Sequence, residues 1–211
     1  MISVQRFVFN EFQTNTYVIH DETRECIVVD AACNSDEQWA ELNNYIKNNN
    51  LSIKDMLQTH CHTDHMLGSH YITDNYGIGY RIHPKGKFFV GFAADFGKAY
   101  QINVGKIYDP TGFFEEGDAI AFGNHIIEVL YTPGHAEGSV CFYNASQGFV
   151  ISGDVLFKES IGRTDLPTGN YNTLKESIEK KLFSLPGSTL VYPGHGPATT
   201  IGHEKLNNPF L

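Results

Sequence analysis

The chain has 211 residues, a length that allows one sizeable hydrophobic core. Hydrophobic residues make up 41% and charged residues 18%, a balance that is typical of globular proteins and argues against disorder. With 24 acidic against 15 basic residues the formal net charge is -9, so the sequence offers no basic surface for phosphate backbones, and nucleic acid is not an expected partner.

The amino-terminal segment carries no sign of export or of a membrane anchor. Polar and charged residues interrupt its apolar positions, unlike the continuous apolar run of a signal peptide. No later run is long enough to span a bilayer. The four cysteines form no CxxC pair and no dense framework, which is typical of reduced thiols. We therefore predict a cytoplasmic protein with no membrane partner.

The first half of the chain is predicted to form strands, then a helix, then a further strand. Runs of β-branched and aromatic residues between polar turns predict the strands. They lie at residues 4–9, 16–21, 25–32 and 51–58. Between residues 34 and 50 the apolar residues change to helical spacing, and Ser35 with Gln38 is placed to form a capping box.

The second half repeats this order of elements. Its predicted strands lie at residues 119–123, 125–132, 139–144, 148–154 and 188–195. A helix is predicted over residues 173–185, where Thr173 with Glu176 fits a second capping box. Residues 77–113, with scattered glycine and aromatic residues, show no clear period. No linker separates the halves, so we predict one α+β domain over residues 1–211.

Four histidines and one aspartate fall within QTHCHTDHMLGSH, residues 58–70. His60 and His62 leave a predicted strand at i, i+2 spacing, which lets both rings project to one side and share an ion. Asp64 and His65 follow where the chain turns toward a helix, and they offer a carboxylate and an imidazole to a neighbouring site. This stretch predicts two metal sites rather than one.

Three further candidate ligands follow strand ends in the second half of the chain. His135, Asp154 and His195 each lie beside a glycine, where the chain can turn sharply and bring a side chain to the edge of a sheet. The isolated histidines elsewhere, such as His70, are expected to have structural roles, because metal sites need clusters of ligands.

The motif THCHTDH, followed by the separated His135, Asp154 and His195, resembles the metallo-β-lactamase superfamily, whose pattern is HxHxDH, then His, Asp and His. The segments GRTDLPTGN and YPGHGPATTIGHEKLNNPF are most similar to small single-domain glyoxalase II-like hydrolases. The resemblance implies an αββα sandwich of two mixed β-sheets flanked by helices, with a metal site at one sheet edge. In a departure from full-length glyoxalase II, we expect no helical carboxy-terminal extension of the kind that helps bind glutathione, because the sequence ends at Leu211, shortly after His195.

The resemblance also implies two divalent metal ions as cofactors, most simply zinc, with iron or manganese as alternatives that the affinity order alone does not exclude. The implied first site is His60, His62 and His135, the second is Asp64, His65 and His195, and Asp154 bridges them.

The expected chemistry is hydrolysis of a small thioester by a metal-bridging hydroxide. Two cations that share a hydroxide lower the pKa of bound water from about 15.7 to about 7, so no catalytic residue is needed beyond the metal ligands. A thiol leaving group, with a pKa of about 8.5 in cysteine-like cases, departs as thiolate without help from an acid. The resemblance to glyoxalase II-like hydrolases implies that the partner is a small-molecule thioester of the S-2-hydroxyacylglutathione type, such as S-lactoylglutathione or an analogue built on another thiol.

Arg163 is the predicted substrate contact. In the resembled family its loop lies near the substrate, and a guanidinium can hold a carboxylate in a bidentate contact. The alternative is an internal ion pair with Asp165 or another acid. Cys61, between two candidate ligands, is predicted to point away from them as a buried structural thiol.

Two other functions stay open. An iron-dependent persulfide dioxygenase also resembles this chain and would hold one iron through His60, His62 and either Asp154 or His135. The complete second set of ligands favours two metals instead. A non-catalytic, metal-dependent binding module is the alternative of a different class. Nuclease and lactamase activities are less favoured, because a basic surface and a secretion signal are both lacking.

Overall fold

The structure is a computed structural model that describes residues Met1–Leu211. Its strands are β1 (Ser3–Phe9), β2 (Thr14–His20), β3 (Glu25–Val29), β4 (Ser52–Leu57), β5 (Tyr80–Ile82), β6 (Gly112–Phe113), β7 (Ala119–Phe122), β8 (His125–Tyr131), β9 (Val140–Asn144), β10 (Phe149–Gly153), β11 (Leu156–Phe157), β12 (Ser160–Ile161), β13 (Leu190–Pro193) and β14 (Thr199–Thr200). Its helices are α1 (Asp36–Asn48), α2 (Thr63–Met66), α3 (Ser69–Tyr76), α4 (Lys87–Val90), α5 (Ala93–Tyr100), α6 (Tyr171–Ser177) and α7 (Ile201–Asn207). A π-helical turn, Ile178–Leu182, continues α6.

Twelve of the strands form two mixed sheets. The first has the order β1-β2-β3-β4-β5-β6, antiparallel from β1 to β3 and parallel from β3 onward. The second has the order β14-β13-β10-β9-β8-β7, in which only β10 and β13 are parallel. Strands β11 and β12 form a small separate hairpin. Each half of the chain thus forms its own sheet.

Alternating side chains of the central strands build the core in separate layers. In β2, Tyr17 and Ile19 belong to a cluster between the two sheets, together with residues such as Val129 and Phe142 of the second sheet. Val18, which lies between them in sequence, packs instead into the cluster under α1 and α3. A third cluster joins the outer face of the second sheet to α6 and α7. Because both faces of both sheets are buried, the layers are α, β, β, α, as the sequence predicted.

The predicted capping of α1 is confirmed in part. Gln38 N donates to Ser35 Oγ at 3.3 Å, as an N-cap requires, but Gln38 Oε1 accepts from Asn34 N rather than from Ser35 N. The predicted capping box of Thr173 and Glu176 is wrong. The N-cap lies three residues earlier than predicted, because Asn170 Oδ1 accepts from Thr173 N at 2.9 Å, and the helix begins at Tyr171.

Residues 77–113, which showed no clear period, form β5, a 3₁₀ turn at Pro84–Gly86, the two short helices α4 and α5, an extended loop, and β6. No helix anywhere in the structure combines the length and the apolar character that crossing a bilayer would require.

Candidate metal centre

Four strand ends bring the candidate ligands to one edge of the sandwich. Strand β4 ends at Leu57, and the chain then passes through His60 and His62 into α2, which carries Asp64 and His65. In the second sheet β8, β10 and β13 all run in the same direction, because β8 and β10 are each antiparallel to β9 and β10 is parallel to β13. Their carboxyl ends therefore meet at one edge. They lead to His135, Asp154 and His195.

The first group of ligands consists of three imidazoles. His62 Nδ1 lies 3.1 Å from His60 Nε2 and 2.9 Å from His135 Nε2. His60 and His135 are almost fully buried. These three nitrogens can face one ion.

The second group combines two imidazoles and a carboxylate. His65 Nε2 lies 3.3 Å from His195 Nε2. Asp64 Oδ2 lies 3.5 Å from the former nitrogen and 3.4 Å from the latter. This triangle of donors can also face one ion.

Asp154 lies between the two groups. Its Oδ2 is 3.6 Å from His135 Nε2 of the first group and 3.5 Å from His195 Nε2 of the second. Its Oδ1 is 3.3 Å from His65 Nε2. One carboxylate therefore contacts donors of both groups, which is the arrangement of a bridging ligand.

The donor set fits metal ions. Metal–nitrogen bonds of about 2.0–2.1 Å place neighbouring ligands of a tetrahedral ion about 3.3–3.4 Å apart, close to the separations found here. The buried Asp154 Oδ1 has no hydrogen-bond partner, and a buried charge without a partner is costly. A cation at this point would supply the missing interaction.

Outer hydrogen bonds fix the orientation of the imidazoles. His135 Nδ1 donates to Arg163 O at 2.8 Å, and His195 Nδ1 donates to Phe12 O at 3.0 Å. A carbonyl oxygen can only accept, so in each neutral ring Nδ1 carries the proton and the lone pair of Nε2 faces the centre. Such outer partners are typical of metal-binding histidines.

Asp30 is a positioning residue whose contact with a candidate ligand the sequence did not reveal, although the pattern there indicated a turn and hydrogen-bonding residue near the sheet edge. Its carboxylate accepts from Thr59 N and Thr59 Oγ1, both at 2.7 Å, and its Oδ2 lies 2.9 Å from His65 Nδ1. Asp30 adopts a positive φ of 52°, a conformation that aspartate tolerates better than most residues. It connects β3, the end of β4 and the second ligand group.

The two groups differ in electrostatics. Burial, followed by the neighbouring His135, lowers the pKa of His62 to about 3, so this ring is neutral at pH 7 with its lone pair available. Burial would also lower the pKa of His195, but Asp154 and Asp64 outweigh it and raise the pKa to about 9. The two carboxylates thus create a position that favours positive charge.

Cys61 is buried, as predicted, and burial raises the pKa of its thiol far above the ordinary value. A thiol that stays protonated is a poor nucleophile, so Cys61 is structural.

A cavity of about 540 Å³ opens above the ligands. His62, Asp64, His135, Asp154 and His195 form its floor. The volume is within the range of about 300–1,000 Å³ that is usual for small-molecule sites.

Arg163 lies on the wall of this cavity, where its Nε and Nη2 donate to the two carboxylate oxygens of Asp165, both at 2.7 Å. Both side chains are exposed. The internal ion pair that the sequence offered as an alternative is therefore formed, in a position that also faces the cavity.

The aromatic wall of the cavity is a second feature that the sequence did not reveal. Phe88, Phe92, Phe96 and Tyr100 recur every four residues through α4 and α5 and line the cavity. The interval of four was the signal available in the sequence. Glycines at 91 and 97 obscured it.

Comparisons with known proteins agree with this architecture. The family model described as "Metallo-beta-lactamase superfamily" matches residues 9–195. The chain is 36% identical over 208 residues to the probable metallo-hydrolase YqgX of Bacillus subtilis, covering 98% of this chain and 96% of that protein. It is 32% identical over 202 residues to the hydroxyacylglutathione hydrolase GloC of Haemophilus influenzae, covering 95% and 93%.

Two solved structures are similar over almost their whole length. BLEG-1, a B3 metallo-beta-lactamase, has a TM-score of 0.89 at 31% identity, with 100% of this chain and 99% of that chain covered. TTHA1623, solved in a di-iron-bound form, has a TM-score of 0.88 at 32% identity, with 99% and 100% covered.

Proposed function

The chain belongs to the metallo-beta-lactamase superfamily, and from that premise we propose that it is a binuclear metal-dependent hydrolase of small thioesters. One observation carries the proposal: two complete groups of donors share Asp154 at the floor of a cavity large enough for a small molecule. The similarity to a hydroxyacylglutathione hydrolase supports S-2-hydroxyacylglutathione esters, such as S-lactoylglutathione, as the first substrates to test.

In this proposal, His60, His62 and His135 hold the first ion, Asp64, His65 and His195 hold the second, and Asp154 contacts both. Zinc is the simplest choice, with iron or manganese as alternatives. When bound, two such ions lower the pKa of a shared water to about 7 and polarise a carbonyl oxygen.

The protein's own residues orient these ligands and shape the space above them. The carbonyl groups of Arg163 and Phe12 hold His135 and His195 in the tautomer that directs Nε2 to the centre. Asp30 holds His65. A thiolate leaves without a proton from the protein.

Arg163 is proposed as the residue that contacts an anionic part of a substrate. Its guanidinium already holds Asp165, so it would bind a substrate carboxylate in exchange for that ion pair. Such an exchange adds little net binding energy, because both members of the pair are exposed.

The test is metal analysis of protein purified without added metal, followed by assays of S-lactoylglutathione and other thioesters. We expect two metal ions per chain and thioester hydrolysis that a chelator abolishes and the metal restores. A fully metal-loaded protein that leaves every thioester intact would overturn the proposal and favour a non-catalytic binding module.

A persulfide dioxygenase with a single iron is a second candidate, because the similar structure TTHA1623, solved in a di-iron-bound form, indicates that iron can occupy a site of this kind. It would use His60, His62 and Asp154 or His135. One iron per chain, with oxygen consumed on glutathione persulfide and no thioester cleaved, would select this function.

Hydrolysis of β-lactams is a third candidate, favoured by the similarity to BLEG-1. The same metal-loaded preparation can be assayed with a chromogenic cephalosporin. Cephalosporin turnover far above thioester turnover would select it.

A further inference from the structure

A regular stripe of aromatic side chains lies over the candidate metal centre. We define the aromatic stripe as Phe88, Phe92, Phe96 and Tyr100. Helices α4 and α5 are joined by Gly91 and Phe92, both of which keep right-handed helical backbone angles. Residues four apart therefore stack along one face of a nearly continuous helical segment. That face lines the cavity.

Small residues of α5 are buried while three of the four stripe residues are exposed, and Phe89, outside the stripe, is the large side chain that enters the core. Ala93 and Gly97 of α5 are buried, whereas Phe88, Phe92 and Tyr100 are 53%, 49% and 54% exposed. Large apolar side chains are normally the ones placed in the core, and contiguous exposed apolar surface marks binding sites. Core packing therefore does not explain the aromatic stripe.

The rings of the stripe contact one another in two pairs, which line the same cavity and together form an aromatic wall. Phe88 and Phe92 have ring centroids 4.9 Å apart, and Phe96 and Tyr100 have centroids 4.5 Å apart. Phe12 lies 5.6 Å from Phe96 and 5.5 Å from Tyr100 and extends the wall toward the strand pair β1–β2. A ligand in the cavity would meet flat apolar surface.

The wall reaches the candidate ligands directly. Phe89, adjacent in sequence to the first ring of the stripe, lies edge to face with His62 at a centroid distance of 5.0 Å. His62 and Asp154 form part of the floor of the same cavity. A substrate whose carbonyl lies at the centre would therefore lay its substituent along the stripe.

The cavity has little to offer a charged substituent. Apart from candidate ligands, its charged lining residues are Asp95 and Arg163. Arg163 is engaged by Asp165, and Asp95 lies 3.4 Å from Lys98. The two carboxylates of a glutathione ester would find no unpaired cation here, in a protein whose net charge is already -9.

We propose that the aromatic stripe is the specificity element of the site and selects thioesters whose acyl group is an uncharged alkyl or aryl chain. This inference rests on the proposed function, since it places a thioester carbonyl at the metal centre.

The first test is a series of N-acetylcysteamine thioesters with straight acyl chains from acetyl to octanoyl, assayed with the metal-loaded protein. Each methylene that the stripe buries should raise kcat/KM about fourfold until the wall is covered. S-lactoylglutathione should be a poorer substrate than the hexanoyl ester by at least about tenfold, since two further buried methylenes alone give that ratio. Equal rates along the series, or a clear preference for the glutathione ester, would overturn the inference and leave the proposed function standing.

Variants of the stripe test whether its side chains cause the dependence of kcat/KM on acyl-chain length. Phe92→Ala should flatten the dependence of kcat/KM on chain length, and Phe92→Leu, which keeps apolar bulk, should restore most of it. The matched control is Phe113→Ala, which removes an equally exposed ring outside the cavity and should leave the dependence intact. If Phe92→Ala and Phe113→Ala behave alike, with unchanged metal content and melting temperature, the stripe is not the specificity element.

A binding measurement separates failure of the inference from failure of the proposed function. Alkyl thioethers of N-acetylcysteamine cannot be hydrolysed, so their affinity can be measured by calorimetry even if no thioester is cleaved. Affinity should rise with chain length and fall in Phe92→Ala. If this occurs without any thioester turnover, the stripe binds apolar ligands but the reaction is another one. If affinity is independent of chain length, the stripe proposal is wrong.

Discussion

At the scale of single residues, replacing Asp154 tests whether the two candidate metal sites share a ligand or are independent. Asp154→Ala removes the carboxylate that contacts ligand atoms of both groups, so the affinity for both ions should fall. His65→Ala removes a donor of the second group, so that ion should be lost first. Elemental analysis after dialysis against a weak chelator measures both effects.

The control for this comparison is His70→Ala, which removes a histidine of the same segment whose Nδ1 bonds to Leu67 O outside both groups. Its metal content should match that of the unaltered protein. Full and equal occupancy in Asp154→Ala and His65→Ala would contradict the assignment of the ligands.

Gly194 shows how a residue without a side chain serves the site. A Cβ atom there would lie 2.2 Å from Asp154 Oδ1 and 2.8 Å from His65 Cε1. The sharp turn expected beside His195 is made by Gly196, with a φ of 75°, whereas Gly194 contributes space for two candidate ligands. Gly194→Ala should lower metal affinity by at least about tenfold, the lower end of the loss found when outer contacts of metal ligands are removed.

Titration of the protein with zinc against a competing chelator measures that affinity. Gly187→Ala is the matched control, since its Cβ would meet nothing closer than 3.6 Å and its backbone is unstrained. Equal zinc affinity in the two variants would show that Asp154 can move away without loss.

Asp165 is the residue that decides what Arg163 can do. Asp165→Asn removes one charge of the exposed ion pair and frees the guanidinium. KM for S-lactoylglutathione should then fall several-fold with little change in kcat, because the contact is remote from the reacting carbonyl. The uncharged lactoyl ester of N-acetylcysteamine is the control and should not respond. If the variant and the unaltered protein have the same KM for each ester, Arg163 is excluded as a carboxylate contact.

At the scale of elements, Asp21 ties a turn of the first sheet to a turn of the second. Its buried carboxylate, after β2, accepts from Thr23 N at 2.9 Å and from Asn124 N, in the β7–β8 turn, at 2.8 Å. Burial alone would raise the pKa of Asp21, but these hydrogen bonds outweigh it and hold the pKa below the ordinary value. Asp21→Asn should lower the free energy of unfolding by about 1–3 kcal/mol.

The pH dependence of this effect follows from the lowered pKa. A carboxylate with a depressed pKa in the folded state stabilises that state at pH values above the unfolded pKa of about 3.9. This stabilisation is lost as the pH falls through the lower folded-state pKa. Urea unfolding of chelated protein should therefore show a difference between Asp21→Asn and the unaltered chain at pH 7 that shrinks below pH 4. Glu128→Gln, which alters an exposed carboxylate of β8 that forms no side-chain hydrogen bond or ion pair, should show no such difference.

The elements that the sequence predicted well are those whose apolar residues face the core. Strands such as β7 and β8, and helix α1, follow a period of 2 or 3.6 because burial on a defined face imposes it. Helices α4 and α5 were missed because the aromatic stripe lines a cavity instead of the core, while the buried positions hold Phe89, Ala93 and Gly97, only one of which is large and apolar. The start of α6 was misplaced because an asparagine three residues earlier offered a better-positioned cap.

At the scale of the whole molecule, bound metal should stabilise the fold, because only the native state brings all seven candidate ligands together. An ion present at about 1,000 times its dissociation constant adds about 4.1 kcal/mol. A strong chelator should therefore lower the melting temperature of the unaltered protein by several degrees. The same chelator should have a much smaller effect on Asp154→Ala. An unchanged melting temperature in the unaltered protein would count against a resident ion.

The candidate site was predictable from sequence only as a list of residues. The spacing of His60, His62, Asp64 and His65 in one segment points to metal without further information. Their approach to His135 and His195 depends on β8, β10 and β13 running in the same direction. The pairing of the strands determines this direction, and the local sequence pattern does not. Asp30 and the aromatic stripe acquire their positions only through that tertiary arrangement.

Each group of ligands takes members from both sheets, and this division has a consequence for the order of events during protein synthesis. His135 follows His62 by 73 residues, and His195 follows His65 by 130. During translation, the HxHxDH segment would thus leave the ribosome long before the last ligand of either group had been synthesised. Metal capture would come at the end of biogenesis, after the second sheet has docked on the first. In a cell starved of the metal, the protein should accumulate as a folded, metal-free apoprotein. Metal added later should activate this apoprotein without new translation.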